Sequence, residues 1–104
     1  MNRSNRNNYL NILGLTYRAR KCSTGENVII EDIRTKKAKL LIIACDISDG
    51  TRKKLIDKCI TFHVPYMEVD EDRYTIAQAI GKNDRVAIAI LDDGFAKKII
   101  TLLS

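Results

Sequence analysis

The chain has 104 residues, which suits a single domain over residues 1–104, and its hydrophobic content of 45% is that of a globular rather than a disordered protein. The net charge is +5, and Lys and Arg outnumber Asp and Glu before residue 40, which favours a polyanionic partner such as RNA or DNA. No apolar run approaches the roughly 18 residues of a membrane span, and six aromatic residues without any Trp are too few for a broad base-stacking platform.

Apolar residues recur alternately at helical spacing and in short continuous runs, which predicts helices alternating with strands. In chain order we expect a helix from a cap at Ser4 to about Tyr17, a short strand or an extended link at 21–23, and a helix opened by Thr24 and Gly25. A strand within 38–45, a helix capped by Ser48 or Asp49 and a strand at 66–69 should follow. The last expected elements are a helix over about 74–80, a strand within 85–91 and a helix over 95–103. This alternation predicts an α/β fold with a mixed sheet between helix layers.

The two longest apolar runs, AKLLIIAC at 38–45 and RVAIAIL at 85–91, are predicted to be central strands covered on both faces. Helical spacing also predicts which helix faces are buried. The residues expected in the core on this basis are Leu10, Leu13 and Tyr17 of the first helix, Ile29, Ile30 and Ile33 of the second, and Leu55, Ile56, Cys59 and Ile60 of the third.

The three cysteines indicate a reducing compartment. Cys22, Cys45 and Cys59 are an odd number without CxxC spacing, which argues against a disulfide framework or a zinc ribbon. Cys45 and Cys59 lie among apolar residues and are predicted to be in the core. Since the N-terminus lacks the apolar segment of a signal peptide, we expect a cytoplasmic protein.

No constellation of residues indicates catalysis, a metal or a cofactor. His63 is the single histidine, and the glycines are too far apart for a phosphate-binding loop. Asp46 follows a predicted strand but has no evident partner, so it is interpreted as a loop or capping carboxylate; a deep pocket shared with His63 would favour an enzyme instead. The acidic run 70–72 has oxygen ligands for a cation, although such runs are more often only solvated.

Several segments in a fixed order carry a further signal. They are ILGL at 12–15, TGENVIIE at 24–31, AKLLIIA at 38–44 followed by Asp46, VPY at 64–66, IAQAIGK at 76–82 and DGFAKK at 93–98. Together they resemble the ribosomal-protein superfamily that binds RNA kink-turns, known as seven-Ae and thirty-e in large-subunit nomenclature, and within it the bacterial YlxQ-type members. The resemblance spans about residues 13–100 and implies a three-layer α/β/α sandwich with a mixed four-stranded sheet.

The resemblance also implies where RNA would bind. In the family, the start of the second helix carries a G-x-N-E-x-x-K pattern and meets the tandem G·A pairs of the kink-turn, while the loop after the VPY strand closes over a flipped-out nucleotide. Gly25 and Asn27 match the pattern, whereas Val28 replaces its Glu and Glu31 its Lys, and the closing loop is acidic and one residue longer. The implied RNA-binding residues are Thr24, Gly25, Glu26, Asn27, Val28, Glu31, Lys36, Lys37, Lys39, Val69, Asp70 and Glu71.

The leading hypothesis is therefore a monomeric, non-catalytic, cytoplasmic protein that binds structured RNA, either ribosomal RNA or another kink-turn RNA. A second hypothesis is a protein–protein interaction module on the same fold, whose RNA binding has been lost through Val28, Glu31 and the acidic loop. A small hydrolase or transferase is disfavoured, because no pair of nucleophile and base is evident.

Overall fold

Helices and strands alternate along the chain, as the sequence pattern predicts. The computed structural model describes the backbone of residues 3–104 and the side chains of residues 8–104. The elements are α1 (Arg3–Arg18), β1 (Cys22–Thr24), α2 (Glu26–Arg34), β2 (Leu40–Ile43), α3 (Asp49–Thr61), β3 (Tyr66–Glu68), α4 (Arg73–Ala79), β4 (Ala87–Ile90) and α5 (Asp93–Leu103). No helix among these combines the length and the apolar character of a membrane span.

The four strands form one mixed sheet in the order β1-β4-β2-β3. β2 is parallel to β3 and antiparallel to β4, so that Leu41 lies between Tyr66 on one side and Ala89 on the other. β1 adds to the far side of β4 in the antiparallel direction. The prediction that β2 and β4 are central is confirmed, because every residue of both strands is buried.

Helices cover the two faces of the sheet, because successive side chains of a strand point to opposite sides. Leu40, Ile42, Ile88 and Ile90 belong to a core shared with α1, α4 and α5. Leu41, Ile43, Ala87 and Ala89 belong to a second core, shared with α2 and α3. The expected three-layer α/β/α sandwich with a mixed four-stranded sheet is thereby confirmed.

The predicted apolar faces of two helices are wrong at one residue each. Tyr17 in the last turn of α1 is 39% exposed, and the ammonium of Lys82 lies 5.3 Å from the centre of its ring. Among the residues of α1 whose side chains the structure describes, Tyr9, Ile12, Leu13, Gly14 and Thr16 are buried. In α3, Ile60 is 60% exposed because each residue is rotated by about 100° from the last, so the residue after buried Cys59 turns away from the sheet.

Two further predictions are corrected at element boundaries. Cys45 is exposed rather than in the core, because β2 ends at Ile43 and Cys45 lies in the loop that follows. The first helix already includes Arg3, so Ser4 is not its boundary, and the side chain of Ser4 lies outside the described residues. Ser48 is the cap of α3, since its hydroxyl accepts a hydrogen bond from the backbone N–H of Thr51.

The cysteines are expected to differ in reactivity towards a thiol reagent at about pH 8. Burial raises the pKa of the Cys59 thiol to about 11, so only about one molecule in a thousand carries the reactive thiolate. Cys45 is exposed and should label first, whereas Cys59 should label only when the protein unfolds. Peptide mass spectrometry after timed labelling checks this order, with Cys45→Ser as the control that removes the fast phase. Fast labelling of Cys59 in the native protein would contradict its burial.

Candidate nucleic-acid interface

Three helices begin at the same end of the sheet. Thr24 at the end of β1 pairs with Ile88, and Ile43 at the end of β2 pairs with Ala87 and with Glu68 at the end of β3. The strands β1, β2 and β3 therefore finish side by side, and α2, α3 and α4 start from this edge, which we call the helix-start end. The first backbone N–H groups of a helix have no intrahelical partner and carry its positive dipole, so such an edge attracts anionic groups.

The start of α2 differs from the starts of the helices around it. Gly25 is the N-cap and has φ of +95°, a conformation that L side chains rarely adopt, although a Cβ added there would meet no atom within 4 Å. Glycine is thus needed for its backbone angle rather than for space. No side chain caps α2, whereas Ser48, Asp72 and Asp92 cap α3, α4 and α5. The first N–H groups of α2 are consequently available to a ligand.

The side chains at the start of α2 form a mixed surface. The carboxylate of Glu26 is ion-paired with the ammonium of Lys54 on α3 at 2.8 Å. Asn27 is exposed, and its amide group can both donate and accept hydrogen bonds. Val28 is 53% exposed, and Glu31 lies one turn after Asn27 with its carboxylate 3.4 Å from Arg34. Asn27 and Glu31 are therefore neighbours on one face of the helix.

A cleft of about 360 Å³ opens beside this helix start. It lies between the start of α2, the first turn of α3, the start of α4 and the segment before β4, and Thr24, Gly25, Glu26, Thr51, Arg73 and Arg85 contribute to its walls. Thr51, Arg73 and Arg85 are not among the site residues predicted from the sequence. Arg73 could have been suspected as the single base directly after the acidic run 70–72, but Arg85 carries no such signal.

Arg73 is fixed by the carboxylate of Asp46. Its backbone N–H and its Nε donate to the two carboxylate oxygens of Asp46 at 2.9 and 3.2 Å, and its Nη2 donates to the Asp46 carbonyl at 2.7 Å. Asp84 lies 3.9 Å from the same guanidinium. Asp46 is therefore a loop and capping carboxylate as predicted, but it has a charged partner, Arg73, which the sequence did not indicate. His63 follows the last turn of α3 at the opposite end of the sheet, so the structure does not bring Asp46 and His63 together.

The loop between β3 and α4 is fastened to its surroundings. The backbone N–H of Cys45 donates to the Glu71 carbonyl at 3.0 Å, and the hydroxyl of buried Tyr9 donates to the Glu71 carboxylate. The backbone N–H of Thr75 donates to Asp72 at 2.8 Å and holds the pKa of that carboxyl below its usual range, so Asp72 remains an ionised cap at neutral pH. Val69 is buried in the core, which leaves Asp70 and Glu71 as the loop residues closer to the surface.

The predicted site residues do not all meet. Thr24 to Val28 and the loop residues Asp70 and Glu71 belong to the helix-start half of the molecule, whereas Glu31 lies in the last turn of α2. Lys36, Lys37 and Lys39 follow the far end of α2, which is about 13 Å long. There the ammonium of Lys36 donates to the Phe62 carbonyl, and that of Lys39 donates to the Lys36 carbonyl at 3.1 Å. Among the described residues, no cluster of His, Cys, Asp and Glu could hold a metal ion.

Comparison with known proteins identifies the family. The sequence model of the ribosomal protein L7Ae/L30e/S12e/Gadd45 family matches residues 8–100. The chain belongs to this family. It is 47% identical over 92 residues to the RNA-binding protein YlxQ of Bacillus subtilis, which covers 88% of this chain and 91% of that protein. It is 44% identical over 103 residues to the RNA-binding protein YlxQ of Enterococcus faecium, with 99% and 98% covered. The resemblance found in the sequence is thereby confirmed.

Solved structures agree with this family assignment. A protein of unknown function from Bacillus halodurans superposes with a TM-score of 0.87 at 37% identity, over 91% of this chain and 95% of that one. The 15.5kD RNA binding protein of Giardia lamblia superposes with a TM-score of 0.79 over 99% of this chain and 88% of its own. At 20% identity the second comparison establishes the shared fold alone.

Proposed function

We propose that this protein binds structured RNA of the kink-turn type through its helix-start end and catalyses no reaction. The family assignment and the two relatives described as RNA-binding proteins support an RNA partner. The observation that carries the location is the start of α2, which has Gly25 as its N-cap and no side-chain cap. Its first N–H groups can donate to phosphate or sugar oxygens, while the Asn27 amide reads a base edge.

The cleft beside α2 is suited to bind an unstacked nucleotide of the RNA. Its lining includes the hydroxyl-bearing residues Thr24 and Thr51 and the bases Arg73 and Arg85, together with the acids Glu26 and Asp84. A hydroxyl can hydrogen-bond to a base edge or a ribose, and a guanidinium can bind phosphate or stack on a base. The pairing of Arg73 with Asp46 holds its side chain in place before RNA arrives, which lowers the entropy lost on binding.

Acidic residues at this end oppose RNA binding less than their number suggests. The charge of Glu26 is balanced by Lys54, and that of Asp46 by Arg73. Asp72 is the N-cap of α4 and Asp49 lies in the first turn of α3. At both places the positive end of the helix dipole offsets the negative charge. Glu31 remains the acid that faces the same surface as Asn27, and it is the side chain expected to limit affinity.

Binding is expected to depend on the tandem G·A pairs of a kink-turn RNA. Sheared pairs expose base edges in the minor groove, whereas Watson–Crick pairs in their place leave a regular helix with the same number of phosphates. Isothermal titration at one fixed salt concentration should show strong binding to the kink-turn and at least about a tenfold loss for the matched duplex. Equal affinity for the two RNAs would reduce the interaction to charge alone and refute kink-turn recognition.

The cellular setting follows from the same proposal. We place the protein in the cytoplasm as a monomer associated with ribosomal RNA or with another kink-turn RNA. Crosslinking in cells followed by sequencing of the bound RNA identifies the target directly. Sedimentation of the protein with ribosomal subunits supports the ribosomal assignment, and its recovery only at the top of the gradient contradicts it.

One observation favours a protein partner instead of RNA. Besides the balanced Asp46 and Asp72, the connections at the helix-start end carry Asp70, Glu71 and Asp84, and this charge suits a basic protein surface. The ratio of absorbance at 260 and 280 nm in freshly purified protein, together with its retention on heparin, separates the two functions. Protein free of nucleic acid that passes through heparin at moderate salt favours the interaction module.

A further inference from the structure

Five basic residues of the chain lie at the end of the sheet opposite the helix starts. Two connections lie there, one from α1 to β1 and one from α2 to β2, and they contain Arg20, Lys21, Lys36, Lys37 and Lys39, which we call the basic end. The backbone carbonyl of Lys21 accepts a hydrogen bond from the backbone N–H of Leu91 at 2.7 Å. The backbone N–H of Lys39 donates to the carbonyl of Ile90 at 2.7 Å. The two connections thus flank the last residues of β4, about 10 Å apart by strand spacing.

The two ends of the molecule carry opposite charge. The acids near the basic end are Asp92, whose carboxylate caps α5, exposed Asp93 in the first turn of α5, and Asp32 in the last turn of α2. The helix α2, about 13 Å long, separates the two ends, whereas the field of an exposed charge decays over about 8 Å at physiological ionic strength. The acidic helix-start end therefore does not cancel the field of the basic end, and an RNA approaching from that side meets net positive charge.

Two of the five basic side chains at the basic end stabilise helix ends, and the other three have no such role. The ammonium groups of Lys36 and Lys39 bind carbonyls at the ends of α3 and α2, where cations stabilise a helix. The side chains of Arg20, Lys21 and Lys37 are exposed, and within the part of the chain that the structure describes they form no ion pair or side-chain hydrogen bond. Those three charges are accessible to an anionic partner.

We propose that the basic end is a second RNA-binding surface, which contacts the phosphate backbone of a double-helical segment while a kink-turn occupies the helix-start end. Cations spread over about 10 Å match a row of phosphates better than they match a peptide, which would need apolar anchor pockets. The basic end and the start of α2 face opposite ways, so a compact RNA cannot reach both at once. The protein would then hold two RNA helices on its two ends.

The experiment uses a fluorescent RNA duplex of about 20 base pairs without bulges, a length that offers many phosphates. Anisotropy is measured with free protein and with protein saturated by unlabelled kink-turn RNA. We expect the duplex to bind in both cases at low salt, with an affinity that falls steeply as salt rises. Displacement of the duplex by one equivalent of kink-turn RNA would show a single shared surface and overturn the proposal.

A triple variant locates the surface. Replacing Arg20, Lys21 and Lys37 by Gln removes three charges that have no structural partner. The affinity for the duplex should fall about tenfold or more, and the slope of log K against log salt should decrease by about two to three. The control triple Lys53→Gln, Lys97→Gln and Lys98→Gln removes the same charge from exposed positions on α3 and α5, and it should change the affinity less than about twofold.

The outcomes separate this proposal from kink-turn recognition. Equal losses in the two triple variants would attribute duplex binding to net charge and refute a located surface. No duplex binding by the native protein at about 50 mM salt would refute it as well. The titration of the duplex with free protein needs no kink-turn RNA. It therefore tests the basic end even if the protein does not recognise kink-turns. The preference for G·A pairs should be the same in the basic-end triple variant as in the native protein.

Discussion

The Asn27→Ala variant is expected to bind kink-turn RNA more weakly by about 1–3 kcal/mol, the usual value of a side-chain amide that reads a base edge. Asn27 is exposed in the first turn of α2, beside the N–H groups that no side chain caps. The matched control is Asn11→Ala, which removes the same exposed amide from α1 and should leave the affinity unchanged. Titration calorimetry of both variants, each shown to be folded by circular dichroism, measures the difference.

The companion variant Glu31→Lys is expected to tighten binding. Glu31 lies on the same face one turn after Asn27, so its replacement removes a repulsion and adds a phosphate contact. The slope of log K against log salt should become steeper by about one to two counterions. Glu31→Gln removes the repulsion without adding a contact and should fall between the native protein and Glu31→Lys. If both Asn27→Ala and Glu31→Lys bind with native affinity at two salt concentrations, RNA binds elsewhere on the molecule.

The Ile42→Ala variant is expected to lower the free energy of unfolding by about 2–5 kcal/mol. Ile42 is 0% exposed in the central strand β2, where its side chain packs in the core shared with α1, α4 and α5. Neighbouring strands and helices hold that core on all sides, so the cavity left by the substitution cannot close fully. Urea denaturation followed by circular dichroism measures the loss, and the dependence on urea concentration should keep its slope.

The control for this variant is Ile60→Ala, which removes the same atoms from an exposed position on α3. Its effect should stay within about 0.5 kcal/mol, since surface substitutions seldom exceed that value. A loss at Ile60 as large as the loss at Ile42 would mean that α3 buries its outer face in solution. The pair therefore checks the correction made to the predicted apolar face of α3 as well as the central place of β2.

The sequence by itself determined the fold and the family. Residues 40–45 and 86–91 are apolar at every position, which is the pattern of a strand covered on both faces. Ser48 was predictable as a cap because a hydroxyl before a helix binds its first N–H groups locally. The order of TGENVIIE, VPY and IAQAIGK indicated the family, because such motifs and their order can be read directly from the sequence without knowing the fold.

Only the tertiary structure decided which residues share a surface. Spacing could not show that Tyr17, Cys45 and Ile60 are exposed, because the end of a helix face or strand depends on what packs against it. The sequence distance of 27 between Asp46 and Arg73 gave no sign of their contact, which arises because β2 and β3 are parallel and end together. In the same way, Lys36, Lys37 and Lys39 are near Asn27 in sequence, but α2 carries them to the opposite end of the sheet.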